Sequence, residues 1–272
     1  MNIELLSGVE AIRLLWRDPV KYARGVTGMY LLTAKGVELG QIARASFFFF
    51  RNQDDCLDGD RTDIQDPISY VLACRYQIAS GVYTGKPPIV DLAKFAIGGL
   101  SQRGKDGDNP KQNFLDEIDV MLFDYHRAKE RKVLTRSELD KYYENTFFPV
   151  VNIMLIGINS RLRATDIPEL SFCQGRIYSI RDLDTDWTRG TINIPSEVLE
   201  QAKLSTSSTI REIRSSSVVR SWFRQQLNQS QDELPNLETR LAKADEGLTS
   251  MLCMGLVHPL YRLSKRYLSA LG

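Results

Sequence analysis

Hydrophobic positions recur along most of this chain at intervals of three and four, the repeat of a helix that buries one face. Leu5, Leu6, Val9, Ile12 and Leu15 set that pattern over Glu4 to Trp16, and Asp18-Pro19 stops it. A second helix or a helix-like turn is predicted over Tyr22 to Ala34, and a long, mostly apolar helix over Val37 to Leu57. Pro67 opens the next, reaching about Tyr83, and Ile89 to Leu100 follows a Pro-containing turn. Gln112 to Arg131 places Phe114, Ile118, Met121, Leu122 and Tyr125 on one side. Thr135 and Glu138 have the spacing of a capping box, and the helix they open runs to about Ile158 with a kink expected at Pro149. One helix is predicted from about Ile167 to Trp187, ended by Arg189-Gly190. Ser196 and the Ser205 to Ser208 cluster are candidate caps for two more, and Val218 to Asn228 leads through Leu234-Pro235 to a last helix or pair ending at Leu271. Val, Ile and Thr nowhere alternate over a strand's length, so the prediction is all-α, one helical domain over 1–272.

Two stretches do not fit a plain surface. Arg51 stands before Asp54, Asp55 and Asp58, and Arg181 before Asp182 and Asp186. On a helix, Asp54 and Asp58 share a face, as do Asp182 and Asp186. Such neighbours repel by roughly a few tenths of a kcal/mol, so helix stability gives no reason for them. A hard divalent cation turns repulsion into coordination, since Mg²⁺ takes carboxylates together with phosphate oxygens and water. Solvated surface is the ordinary alternative for acids at this spacing, and Asp58 to Asp63 reads as a loop. The surroundings weigh against it: Ala43 to Phe50 is too apolar for a solvated face, and Ile177, Tyr178, Ile180 and Leu183 interleave the second motif. Asp54, Asp55, Asp58, Asp182 and Asp186 are therefore the expected Mg²⁺ ligands, in two rungs facing each other with a diphosphate between them.

Composition narrows the partners. Net charge is +1, with 35 basic and 34 acidic residues among 272, so no electrostatic footprint for nucleic acid or an anionic membrane is expected. Cys56, Cys74, Cys173 and Cys253 have no paired spacing and read as buried thiols of a reducing compartment. No signal peptide is evident, and no apolar run approaches the roughly 18 to 20 residues of a membrane span. A cytoplasmic protein is expected, with peripheral membrane contact left open for a greasy ligand. His126 and His258 read as surface or capping residues, Trp16 and Trp222 as packing residues, and Trp187 as a shield beside the second rung.

With its motifs placed, the chain resembles the squalene/phytoene synthase family. Arg51-x-x-Asp54-Asp55-x-x-Asp58 is similar to that family's first aspartate motif, and Arg181-Asp182 through Pro195 to its second. Between them, Phe114 to Tyr142 resembles the family's Met-x-x-Asp helix and the helix after it, which carries Asp124 and Tyr142 over as site-facing residues. The resemblance covers roughly residues 40 to 200. It implies a bundle around a central apolar cavity that binds an allylic prenyl diphosphate, farnesyl or geranylgeranyl, through Mg²⁺. The C–O bond ionises, and the cation couples head to head with a second prenyl chain. Arg51, Arg181 and Arg189 would help hold the departing diphosphate. Phe47, Phe50, Tyr142, Phe147 and Phe148 would line the pocket and stabilise the cation. Plain core packing is the competing account of those aromatics.

Three departures bear on the outcome. Tyr178 occupies the place of an asparagine four residues before Asp182, and a phenol does not replace an amide carbonyl on Mg²⁺. Tyr178 therefore counts as substrate-facing. Thr191 and Asn193 replace an arginine and a tyrosine, and Phe147 and Phe148 fall where the family keeps small residues. These favour an alternative, cyclisation of a single prenyl diphosphate on the same scaffold. A non-catalytic relative serving lipid binding or assembly is the third reading.

Overall fold

The computed structural model describes residues 2–244 and 253–271, and among these every regular element is helical, with no strand. In order they are α1 (Ile3–Arg17), α2 (Pro19–Leu31), α3 (Val37–Leu57), α4 (Pro67–Ser80), α5 (Val90–Arg103), α6 (Pro110–Glu130) and α7 (Arg136–Gly157). Then come α8 (Pro168–Arg181), α9 (Leu183–Arg189), α10 (Ser196–Ala202), α11 (Ile210–Ser215), α12 (Ser217–Ala244) and α13 (His258–Leu271). No described helix is long and apolar enough to cross a membrane.

Boundaries follow capping chemistry. Asp18 lies in extended backbone and caps α2 by accepting from the Lys21 N–H at 2.9 Å, with Pro19 behind it. Glu138 accepts from the Thr135 N–H at 2.8 Å, as the capping-box spacing requires, and α7 passes through Pro149 to Gly157. Thr209, rather than the serines before it, caps α11 in a box with Glu212. Ser196 is the first residue of α10 and not its cap. The helix expected over 167–187 is two, because the backbone leaves helical geometry at Asp182 (φ −97°, ψ 7°).

One domain was the expectation; the chain's contacts divide it into two compact units. One comprises Met1–Leu122 and Asn152–Asn159, the other Phe123–Val151 and Ser160–Gly272, so the divisions fall inside α6 and α7. In the first unit α3 packs against α1, α2, α4 and α5. Phe48 and Phe49 are fully buried there, while Phe47 and Phe50 lie at the margin of the same core, since four consecutive residues circle a helix. The Phe50 ring packs against Phe114 at 4.6 Å between ring centroids, with the planes tilted by 39°.

In the second unit α12 packs against α8, α10 and α13. Trp222 is buried there, as expected, but Trp16 of the first unit is 90% exposed, which corrects its reading as a packing residue. Gly175 is required in α8: a Cβ there would enter the ring of Tyr143, whose hydroxyl shares a hydrogen bond with Ser179 at 3.0 Å. Cys56, Cys74 and Cys173 are free and buried, and the Cys253 side chain lies outside the described residues. His126 and His258 are exposed.

Candidate functional site

The first acidic motif lies at the end of α3. Asp58 is the exposed C-cap, and its N–H donates to the Asp54 carbonyl at 2.9 Å, so the two stand one turn apart. Arg51 reaches forward to both neighbours, 2.7 Å from Asp54 Oδ2 and 2.5 Å from Asp55 Oδ1. Asp55, expected among the metal ligands, is instead the fully buried hub of an arginine cage. Arg17 lies 2.9 Å from its Oδ1 and Arg13 2.8 Å from its Oδ2. Burial alone would raise this carboxyl, but Arg17, Arg51 and Arg13 outweigh it and hold it below the usual carboxylate range. Three guanidinium groups thus already balance the charge of this one carboxylate.

The second unit holds a denser cluster. Tyr142 on α7 donates its hydroxyl to Asp124 on α6 at 2.7 Å. Burial and then the Asp124 charge push the Tyr142 phenol well above its ordinary pKa, so it remains a donor. Arg127, one turn past Asp124, is fully buried, with its guanidinium carbon 4.4 Å from the Tyr142 ring centroid and Nη2 3.2 Å from Asp124. The same Nη2 donates to Asn193 Oδ1 at 2.8 Å, and Asn193 Nδ2 donates to Asp186 Oδ2 at 3.2 Å. This chain of bonds fixes the amide's orientation and ties Asp186 on α9 to the Asp124–Tyr142 pair. Gly190, in left-handed geometry (φ +99°), ends α9, and a Cβ there would strike the Ala128 carbonyl on α6. The close approach of these two segments therefore depends on glycine.

Asp182 is held by Arg181 in a two-pronged pair at 2.8 and 2.6 Å, and the Arg181 guanidinium lies 4.1 Å from the Tyr178 ring centroid. Tyr178, where the resemblance puts an amide ligand, is thus the platform for the arginine that pairs with Asp182. Phe147 packs at the margin of the core, its ring 6.2 Å from that of Tyr178, and Phe148 is half-buried. Arg189 is exposed. Trp187 is buried, its indole N–H donating to the Ser208 carbonyl at 2.9 Å, which makes it core rather than a shield. Burial, followed by the charges of Asp182 and Asp124, pushes the Asp186 carboxyl up to about 7, against the pull of Arg127 and Arg189.

The squalene/phytoene synthase family model matches residues 97–258, more than half of the chain. The chain belongs to that family. No curated protein and no solved structure matches it. The family match starts later and ends later than the motif resemblance: it takes in Asp124, Tyr142, Asp182 and Asp186 and leaves Asp54 and Asp58 outside. Within this squalene/phytoene synthase relative, burial and then the charges of Asp182 and Asp124 drive the Asp186 carboxyl toward neutrality. A divalent cation beside Asp182 and Asp186 would offset the repulsion Asp186 feels. As they stand, no three His, Cys, Asp or Glu side chains among the described residues are grouped to hold one.

Sequence reasoning missed Arg127 and the cage arginines Arg13 and Arg17, and it registered Asn193 only as a departure. Arg127 carried a usable signal, three residues after Asp124 on the same helix face. Arg13 and Arg17 carried none, because their partner lies some forty residues away in the chain.

Proposed function

We propose that this chain is an Mg²⁺-dependent isoprenoid synthase that ionises farnesyl or geranylgeranyl diphosphate and joins two such chains head to head. The observation that carries the reading is the Asp124–Tyr142–Arg127–Asn193–Asp186 network, which lies wholly inside the family match. Bound Mg²⁺ would neutralise the departing diphosphate, with Asp182 and Asp186 of the second unit as its ligands. Arg181, lifted from Asp182, would turn to the phosphate oxygens, with Arg189 serving likewise. Asn193 and Arg127 orient Asp186, and Tyr142 keeps its proton on the bond to Asp124 instead of quenching a nearby cation. The rings of Tyr142, Phe147 and Phe148 in the second unit supply apolar walls and cation–π contact.

A second reading, cyclisation of one prenyl diphosphate, is favoured by Phe147, which is wedged beside Tyr178 and fills space where the family keeps a small residue. A third, a non-catalytic relative, is favoured by the arginines already seated on Asp54 and Asp182, which satisfy both carboxylates without metal. One experiment separates the three. Purified protein is incubated with each diphosphate and Mg²⁺, and products and released diphosphate are measured with and without chelator. Products of doubled carbon number support coupling, and products of unchanged carbon number support cyclisation. No diphosphate release from any substrate would leave the non-catalytic relative standing.

A further inference from the structure

Helix α1 is built inside out. Apart from the cap, its exposed positions are Leu5, Val9, Ile12 and Trp16, at 63, 54, 68 and 90% exposure, spaced along one stripe. Its charged residues turn toward the protein instead. Glu4 pairs with Arg44, Glu10 with Arg13, and Arg13 and Arg17 with Asp55. A surface helix ordinarily shows the opposite arrangement. Single exposed leucines are common, but four large apolar side chains in line, backed by a row of ion pairs, are not. Val20 and Leu31 on α2 add to the apolar surface at 92 and 66% exposure. Charge completes the picture. The three acids between residues 3 and 37 are engaged, Glu4 and Glu10 in ion pairs and Asp18 as a cap, while the exposed charges there are Lys21, Arg24 and Lys35.

We infer that α1 and α2 form a docking surface for an anionic lipid bilayer. Leu5, Val9, Ile12 and Trp16 enter the boundary between headgroups and acyl chains, and Lys21, Arg24 and Lys35 meet lipid phosphates. Large apolar residues with exclusively basic exposed charge match such a surface in both respects. A second copy of the chain matches less well, because it would bring the same basic exposed charge against itself, whereas anionic headgroups complement it. The inference rests on α1 and α2 and not on the reaction, so it stands or falls separately from the proposed activity.

Vesicle co-sedimentation of the full chain tests it, using phosphatidylcholine alone and phosphatidylcholine with phosphatidylglycerol. Trp187 and Trp222 are buried, so quenching of tryptophan emission by brominated lipid reports on Trp16. Binding is expected only with the anionic vesicles, falling with salt, with Trp16 quenched. The double variant I12S/W16S should lose at least tenfold in bound fraction, and K21E/R24E should lose binding while keeping the same circular dichroism. Equal binding of wild type and I12S/W16S, or no binding to anionic vesicles, would overturn the proposal. So would light scattering that shows a dimer abolished by I12S/W16S, since the stripe would then be covered by a second copy.

Discussion

Asp186 is the residue at which burial and charge conflict most openly. A carboxyl whose pKa is raised by folding holds its proton more tightly in the native chain than in the unfolded one, where it titrates near ~3.9. Ionised Asp186 therefore weakens the fold. The penalty is complete above about pH 7 and fades as pH falls from about 7 toward 4. Asp186→Asn should accordingly stabilise the protein at pH 8 by roughly 1 to 3 kcal/mol and make little difference near pH 4. Urea midpoints at the two pH values measure this, and equal effects at both would show that Asp186 is not under strain. Arg127 presents the reverse case. Its Nε and Nη1 have no hydrogen-bond partner among the described residues, so its value lies in the Asn193 and Asp124 contacts and in the Tyr142 ring. Arg127→Met should cost about 3 kcal/mol, because it leaves buried polar partners behind. The double change R127M/N193L should recover part of that loss by removing one of them; a fully additive loss would show that the two residues act independently.

At the scale of elements, the break between α8 and α9 and the glycine after α9 set where the second acidic motif points. Gly190→Ala meets both a left-handed backbone and the Ala128 carbonyl, so a loss of about 1 to 3 kcal/mol is expected, larger than for Gly→Ala at an exposed turn such as Gly59. Thermal denaturation of the two variants side by side gives the comparison, and equal losses would show that contact with α6 carries no weight. The helices themselves were legible in the chain. Val37–Leu57 was read to the residue, and the Thr135–Glu138 box fixed the start of α7. The α8–α9 break was not legible, because Ile177 to Trp187 keeps a helical pattern of apolar residues across it and only the backbone at Asp182 departs. Arg181, Asp182 and Tyr178 are close in the chain, but their mutual pairing depends on side-chain rotation that spacing does not encode. Trp16 was misread because an apolar stripe at helical spacing looks the same whether it faces core or solvent. Only the partners of Glu10, Arg13 and Arg17 reveal which way α1 is turned.

Across the whole molecule, basic and acidic residues balance to +1, and at the two acidic motifs the same balance is kept locally by an arginine placed just upstream. That arrangement makes a specific demand on any cation. If Asp182 is a Mg²⁺ ligand as proposed, the ion would compete with Arg181 for it, and a displaced guanidinium would find a new anion in the diphosphate. Metal and substrate should therefore bind cooperatively, and Arg181 should oppose metal when no diphosphate is present. Both partners of the pair are more than a third exposed, so the opposition is worth only about 0.5 to 1 kcal/mol. Arg181→Gln should thus bind Mg²⁺ alone roughly two- to fivefold more tightly than wild type. With a non-hydrolysable prenyl diphosphate analogue present, the order should reverse, because the variant has lost a phosphate donor. Calorimetric titration of Mg²⁺ with and without the analogue reads both quantities and does not require turnover. Unchanged Mg²⁺ affinity in Arg181→Gln would mean that Asp182 is not a ligand and that its arginine is a structural partner, the outcome the non-catalytic reading requires.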